Sequence, residues 1–313
     1  MCRAGVGTLT IVDRDVVEPT NLQRQTLFTE EDAARGRPKA LAARDRLAVV
    51  NSGVRVRAVV DDFTCENAES IASDLPDAPP VGVIVDGTDN FETRYLLNDL
   101  AVSLEVPYIY GGAVGTTGMT MTIVPGATAC LRCVFPEAPA PGVAPTCDTA
   151  GVLGPAVSVV AALQSAEALK VLLGATEQLS TDLVSIDLWT NEMRRIDMSG
   201  ARREDCPCCA LGELEFLEGQ SAPVVRTLCG RNGVQVAPGR RDARIDLDML
   251  AGRLAGHGAF RIEDSALQGE LARERGADGQ PLRITVFANG RAIVTGTTDR
   301  DAAKSVYARY VGV

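Results

Sequence analysis

The sequence predicts an α/β fold with a mainly parallel sheet and helices on both of its faces. Apolar, β-branched runs at residues 8–13, 54–60 and 81–87 indicate strands, and helical patterns at 38–51 and 91–105 alternate with them. This alternation is typical of Rossmann-like sheets, in which ligands bind outside the carboxyl ends of the strands. We therefore expect the chemistry of this chain to lie where those runs end.

The middle of the chain continues the same unit. Residues 106–125 predict a strand, a glycine-rich turn and a second strand, and residues 156–174 predict a long apolar helix. Two further strands are predicted at 183–190 and 193–198. Residues 135–155 are rich in Pro and Gly and predict an exposed, mobile crossover.

An acidic stretch broken by Gly and Pro, at residues 211–224, predicts a domain boundary. The chain is then an α/β domain over residues 1–214 followed by a small α+β domain over residues 222–313. The predicted elements of the second domain are a strand, a helix, a hairpin that turns at Asn289-Gly290, and a helix, at residues 233–236, 247–255, 282–297 and 299–311.

The composition of the 313-residue chain narrows the classes of function. A net charge of -10 disfavours a nucleic-acid partner, because phosphate backbones are bound mainly by clustered Lys and Arg. With a single histidine, His257, a Ser-His-Asp triad or a histidine metal site is also disfavoured. No apolar run approaches the roughly 20 residues of a membrane helix, and no secretion signal follows Met1, so we expect a cytoplasmic protein without a membrane partner.

Two CxxC pairs predict a structural zinc site. Cys130 and Cys133 form the first pair and Cys206 and Cys209 the second, and four thiolates satisfy tetrahedral Zn²⁺ without leaving an open position. The alternative is that one pair is a redox motif, although neither has the strand-to-helix setting of such a motif. Cys208 lies between two of the predicted ligands and could compete for the metal, so the choice among these cysteines rests on spacing alone.

The other cysteines carry weaker signals. Cys147 lies in the predicted crossover, where exposure suits a nucleophile, but the neighbouring Asp148 opposes formation of the thiolate. The residue pattern therefore leaves a functional and a structural role for Cys147 equally open. Cys2, Cys65 and Cys229 have no neighbours that suggest chemistry, and we interpret them as structural.

Five polar residues follow predicted strands or lie in loops of the N-terminal region: Asp13, Asn21, Arg24, Lys39 and Asp89. Asp13 ends a strand where a carboxylate can bind a ribose hydroxyl, and Asp89 can hold Mg²⁺. Arg24 and Lys39 can neutralise phosphate charge. Each residue taken alone also fits a plainer role, as a turn residue, a helix cap or a solvated cation. Together, two carboxylates, an amide and two cations suggest an ATP site.

Several segments of the sequence resemble the sulfur-carrier adenylyltransferases of the ThiF and MoeB family, which are relatives of ubiquitin-activating enzymes. The segments are TIVDRDVVEPTNLQRQ, GRPKA, DGTDNFETRYLLND, PTCDTAGVLGP and the paired CxxC motifs, and the resemblance covers residues 3–210 in unbroken order. The C-terminal segments LCGRNGVQV and TVFANGRAIVTGT are similar to the small extension of some ThiF-type members.

The resemblance implies a nucleotide site and a reaction. Asp13 would bind ribose, Asn21, Arg24 and Lys39 would contact the triphosphate, and Asp89 would hold Mg²⁺. The C-terminal glycine carboxylate of a ubiquitin-like sulfur carrier ending in Gly-Gly would attack the α-phosphorus of ATP, releasing pyrophosphate and leaving an acyl-adenylate. Because such catalysis consists mostly of positioning and charge neutralisation, Arg24, Lys39 and Asp89 would be its catalytic residues.

The resemblance also implies partners. Cys147 matches a loop cysteine that in some members forms an acyl or persulfide link to the carrier, and it is therefore a fourth catalytic candidate. The family further implies a homodimer with structural zinc in each subunit. The C-terminal extension favours a ThiS-like carrier and thiazole synthesis over a MoaD-like carrier and molybdopterin synthesis, and the sequence alone does not separate these pathways.

Family members carry a glycine-rich phosphate loop ahead of the segment that matches Arg3-Ala4-Gly5. The domain at residues 1–214 is accordingly expected to be N-terminally truncated and to lack that loop. This gives an alternative hypothesis, a non-catalytic scaffold that binds the carrier without using ATP. An NAD-dependent oxidoreductase is disfavoured because the sequence contains no GxGxxG motif.

Overall fold

A computed structural model of the chain describes residues 1–73, 80–136, 151–219, 225–228, 232–237 and 245–311. The chain forms two compact units, Met1–Ala222 and Pro223–Val313. Cys147, Cys229 and most of the predicted crossover lie outside the described residues.

The first unit contains seven described strands and six described α-helices. The strands are β1 (Thr8–Val12), β2 (Arg55–Val59), β3 (Ile84–Val85), β4 (Tyr108–Val114), β5 (Thr117–Ile123), β6 (Leu183–Asp187) and β7 (Glu192–Ile196). The helices are α1 (Glu30–Arg35), α2 (Lys39–Val50), α3 (Ala68–Ser73), α4 (Phe91–Leu104), α5 (Leu131–Val134) and α6 (Gly154–Leu172).

Parallel pairing in the first unit follows the helical crossovers. β1 pairs with β2 in parallel and α2 connects them, while β3 pairs in parallel with β4 through α4. The strand order of the second sheet is β3-β4-β5-β6-β7, and from β4 onwards each neighbour is antiparallel. The predicted Rossmann-like α/β class is confirmed, with an antiparallel meander completing the sheet.

Helix α4 supports the side chains of the candidate site that is described below. Asn90 caps its first turn, because the Asn90 side-chain oxygen accepts a hydrogen bond from the backbone N–H of Thr93 at 2.8 Å. Tyr95, Leu96 and Leu100 bury its apolar face. The helix therefore begins two residues after Asp89, directly after its cap Asn90, and continues into the hydrophobic core.

Helix α6 is the one described helix that is long and apolar enough to cross a membrane, which is weak evidence for a span. It packs against β4 and β5. Gly118 permits that approach, because a Cβ atom there would collide with the side chain of Val160 on the helix. The helix begins at Gly154, two residues before the predicted start, with Pro155 in its first turn.

The second unit is an antiparallel sheet of six described strands with two helices. Its strands are β8 (Val225–Leu228), β9 (Gly233–Val236), β10 (Gly258–Glu263), β11 (Ala266–Arg275), β12 (Pro281–Phe287) and β13 (Ala292–Thr295), and its helices are α7 (Leu247–Leu254) and α8 (Arg300–Tyr310). The strand order is β10-β11-β12-β13-β9-β8. The predicted hairpin joins β12 to β13, with Gly290 at a φ of 83° in the turn.

Candidate functional site

The end of β1 carries a compact group of charges around Lys39. The Lys39 ammonium lies 3.2 Å from an Asp15 carboxylate oxygen and 3.9 Å from one of Asp13. Lys39 is almost fully buried, at 7% exposed, although it opens α2. The Asp13 carboxylate also accepts a hydrogen bond from the backbone N–H of Asp15 at 2.8 Å, which fixes the turn after the strand. The structure thus brings Asp13 and Lys39 together and adds Asp15 to them.

Arg14 connects this group to the next strand end. Its guanidinium donates to the Asp62 carboxylate at 2.9 Å. Burial alone would lower the pKa of Arg14, but Asp62, Asp15 and Asp89 together raise it above the ordinary value of arginine. Asp89, which follows β3, therefore lies within electrostatic reach of Arg14, which follows β1, although β1 and β3 belong to separate described sheets.

Asn21 and Arg24 make their described side-chain contacts within their own loop. The Asn21 side-chain oxygen accepts from the backbone N–H of Glu18 at 3.0 Å and closes a capping box around the short helical turn Pro19–Asn21. The Arg24 guanidinium donates to the backbone oxygen of Thr20 at 2.9 Å. These contacts shape the loop, and the phosphate contacts expected of both residues stay predictions.

A buried carboxylate anchors the loop that carries Asp89. Both the backbone N–H and the hydroxyl of Thr88 donate to one oxygen of Asp86 at 2.8 Å, and the Tyr108 hydroxyl donates to the other at 2.8 Å. The Arg94 guanidinium lies 3.5 Å from Asp86 and donates to the backbone oxygen of Thr88 at 2.7 Å. Asp89 itself is exposed at the end of this loop.

Electrostatics reinforce this anchor. Burial alone would lower the pKa of Arg94, but the Asp86 carboxylate raises it above the ordinary value. Burial, followed by the adjacent Asp86 charge, raises the pKa of Tyr108 well above that of a free tyrosine. Tyr108 is therefore a neutral hydrogen-bond donor to Asp86, and Arg94 is a permanent cation beside it.

The two CxxC pairs converge on one point. The sulfur atoms of Cys130 and Cys206 lie 3.6 Å apart, those of Cys133 and Cys209 lie 3.5 Å apart, and all four sulfurs lie within 4.8 Å of one another. A tetrahedral zinc ion with Zn–S bonds of about 2.3 Å needs sulfurs about 3.8 Å apart. The quartet has the spacing and the chemistry that such an ion requires.

Two thiols of the quartet, Cys130 and Cys209, hold their protons tightly. Contact with the Cys208 sulfur, followed by burial, raises the pKa of the Cys130 thiol, and burial followed by the neighbouring sulfurs raises that of Cys209. A metal ion that bound here would displace the thiol protons. Its positive charge would neutralise the thiolates, which would otherwise repel one another.

Sequence reasoning missed Arg14, Asp15, Asp86 and Arg94. Arg14 and Asp15 follow Asp13 directly, so the charged run after the strand was a signal that could have included them. Asp86 also ends a predicted strand, three residues before Asp89. Arg94 had no comparable signal, because an arginine in the first turn of an amphipathic helix is expected to face solvent.

The first unit is thus a Rossmann-like α/β domain, with carboxylates and cations at the carboxyl ends of its parallel strands and a cysteine quartet in the same unit. Residues 1–208 match the ThiF family. The chain belongs to that family.

One relative at 41% identity extends the match over the whole chain. The chain is 41% identical over 313 residues to the sulfur carrier protein ThiS adenylyltransferase of Bacillus subtilis (strain 168), covering 100% of this chain and 88% of that protein. It is 41% identical over 211 residues to the sulfur carrier protein adenylyltransferase of Thermus thermophilus, covering 66% of this chain and 74% of that protein.

Among solved structures, the chain resembles Escherichia coli MccB over about two thirds of its length. The crystal structure of MccB with succinimide matches with a TM-score of 0.55 and 24% identity, covering 66% of this chain and 60% of that one. At this identity the likeness describes the fold alone.

Proposed function

We propose that this protein is an adenylyltransferase that activates the C-terminal glycine of a ubiquitin-like sulfur carrier with ATP. The observation that carries the proposal is the 41% identity to a ThiS adenylyltransferase over the full length of this chain. The proximity of Asp13 and Lys39 at the carboxyl end of β1, with Asp89 within electrostatic reach of Arg14, supports it, because the carboxyl ends of strands are where α/β sheets bind nucleotides.

In the proposed reaction, a carboxylate oxygen of the carrier attacks the α-phosphorus of ATP. The new O–P bond forms as the bond to the bridging oxygen breaks, and pyrophosphate leaves with the electron pair. No proton has to move, so the protein contributes position and charge. Asp13 binds ribose, and Lys39, held by Asp15, neutralises phosphate charge together with Arg24, while Asn21 binds a phosphate oxygen.

Two metal ions complete the proposal. Asp89 holds Mg²⁺, which when bound neutralises phosphate charge, and the exposed loop end suits an ion that keeps several waters. Cys130, Cys133, Cys206 and Cys209 hold Zn²⁺, and their spacing supports a structural ion. Zinc bound there crosslinks two segments that are far apart in sequence.

The proposed assembly is a cytoplasmic homodimer that binds one carrier per subunit. Large apolar side chains that are exposed in the first unit support a further interface, among them Leu173 at 81%, Trp189 at 76% and Met193 at 58% exposed. The C-terminal resemblance and the ThiS adenylyltransferase relative favour a ThiS-like carrier over a MoaD-like one.

The test is pyrophosphate exchange into ATP by the purified chain, with and without a ThiS-type carrier ending in Gly-Gly. We expect carrier-dependent exchange, and an about 100-fold loss in Lys39→Ala, the scale seen when a group that stabilises transition-state charge is removed. Lys170→Ala is the matched control, since Lys170 pairs with Glu167 on α6, and it should retain exchange.

Two outcomes would contradict the proposal in different ways. A folded chain that binds the carrier without any exchange would favour the non-catalytic scaffold. Normal exchange by Lys39→Ala would support the proposed activity but would exclude Lys39 as a phosphate-binding residue.

A further inference from the structure

A single buried amide connects the two cysteine segments. Asn98, in the middle of α4, is 0% exposed. Its side-chain oxygen accepts a hydrogen bond from the backbone N–H of Leu131 at 2.8 Å, and its side-chain nitrogen donates to the sulfur of Cys208 at 3.2 Å. Leu131 lies inside the first CxxC pair and Cys208 inside the second, so one side chain spans both.

The orientation of this amide follows from its partners. A backbone N–H can only donate, so the oxygen of Asn98 must face Leu131. The NH₂ group then faces Cys208, whose sulfur can accept. If the amide were flipped, its NH₂ group would face the backbone N–H of Leu131, and two hydrogen-bond donors would oppose each other inside the core.

We propose that Asn98 is a positioning residue of the metal centre, which holds the two cysteine segments together and keeps the Cys208 sulfur out of the ligand set. The proposal rests on the zinc site proposed above. This role of Asn98 explains why only two of the three cysteines at positions 206, 208 and 209 bind the metal. CxxC spacing alone does not decide which two.

The burial of Cys208 supports this role. Its side chain is 0% exposed, although the sulfur is not part of the quartet. The adjacent residue of α4, Asp99, accepts a hydrogen bond from the backbone N–H of Phe216 at 3.0 Å. Consecutive residues of α4 therefore fix Cys208 and the segment that follows it. Asp99 also forms a side-chain hydrogen bond with Cys208, so Asn98 and Asp99 together hold this sulfur, which lies one residue from a proposed ligand.

The experiment measures zinc content by mass spectrometry and zinc release to a chromogenic chelator, using the full chain loaded with zinc. We expect one zinc per chain and an about 10- to 100-fold faster release from Asn98→Leu, the usual effect of removing a partner that orients a metal site. Replacing Cys208 by alanine removes the competing sulfur, so in that background the same substitution should accelerate release several-fold less.

Gln164→Leu is the matched control. Gln164 is also a buried helix amide, and its NH₂ group donates to the backbone oxygens of Asp86 and Ile109, away from the cysteines. It should lose stability but release zinc at the wild-type rate. If Asn98→Leu does not fold, Asn98→Ser undergoes the same test.

Each contrary result has a distinct meaning. Release at the wild-type rate from the Asn98 variant, or an acceleration that is undiminished in the Cys208→Ala background, would overturn the role of Asn98 while leaving the zinc site intact. Wild-type protein that holds no zinc would overturn the zinc site itself.

Discussion

Replacing Arg94 by leucine is expected to destabilise the first unit by about 3 kcal/mol, because it leaves the Asp86 carboxylate buried without its counter-ion. Removing one partner of a buried ion pair typically costs about 3–5 kcal/mol. The side chains of Asp86 and Arg94 are 0% and 9% exposed, so solvent cannot replace the lost charge. Asp86 keeps its hydrogen bonds from Thr88 and Tyr108, which places the expected cost at the lower end.

The assay is urea unfolding followed by circular dichroism, together with calorimetry. For a unit of this size, about 3 kcal/mol corresponds to a fall in Tm of about 6–12 °C. Arg94→Lys should recover only part of the loss, because an ammonium cannot reach both Asp86 and the backbone oxygen of Thr88 in the geometry of the guanidinium. Arg195→Leu removes an exposed pair with Asp182 and should cost less than about 1 kcal/mol.

A double-mutant cycle tests the cause. In the Asp86→Asn background the carboxylate charge is gone, so Arg94→Leu should cost clearly less than in the wild type. An equal cost in both backgrounds, or a loss below about 1 kcal/mol in the wild type, would show that the Arg94 charge does not stabilise this loop.

Two further predictions concern α1 and Cys147. Asp32→Ala should cost about 1 kcal/mol at neutral pH, because Asp32 closes a capping box with Thr29 and pairs with Arg37 at 3.1 Å. Burial would raise the pKa of Asp32, but the hydrogen bonds from Thr29 and Arg37 lower it below the unfolded value, so this stability is present above pH of about 4 and is lost as the pH falls. Urea unfolding at pH 7 and pH 3 should show the difference shrinking in acid, and an unchanged difference would contradict the assignment. Cys147→Ala should retain carrier-dependent pyrophosphate exchange but form no covalent carrier adduct on a non-reducing gel, and an adduct in the variant would exclude Cys147 as the linking residue.

The elements with strong local patterns could be predicted from the sequence. Strand β1, helix α2 and helix α4 lie within one or two residues of their predicted bounds, because each has a regular apolar period. Pro38 and Asn90 also mark where the two helices start. Turn chemistry also identified the β12–β13 hairpin.

Strands of the second unit were missed for a physical reason. β11 has the sequence ALQGELARER, which lacks β-branched residues and is rich in charge. Its stability comes from pairing with β10 on one side and β12 on the other, and these contacts are not local. No local pattern in β11 outweighs its helix-forming residues, so a sequence window cannot identify it as a strand.

Helix α4 also shows why the candidate site could be predicted only in part. Asp89 could be predicted because it follows a strand, whereas Arg94 and Asn98 resemble surface residues of an amphipathic helix and are in fact buried. Residues 90 and 98 lie about 12 Å apart along the helix axis, at about 1.5 Å per residue, within one continuous run of backbone hydrogen bonds. Because turns of one helix cannot move independently, the loop that Arg94 anchors and the cysteine segments that Asn98 joins are fixed relative to each other. The polar residues of α4 therefore set the distance between the proposed nucleotide site and the proposed zinc site.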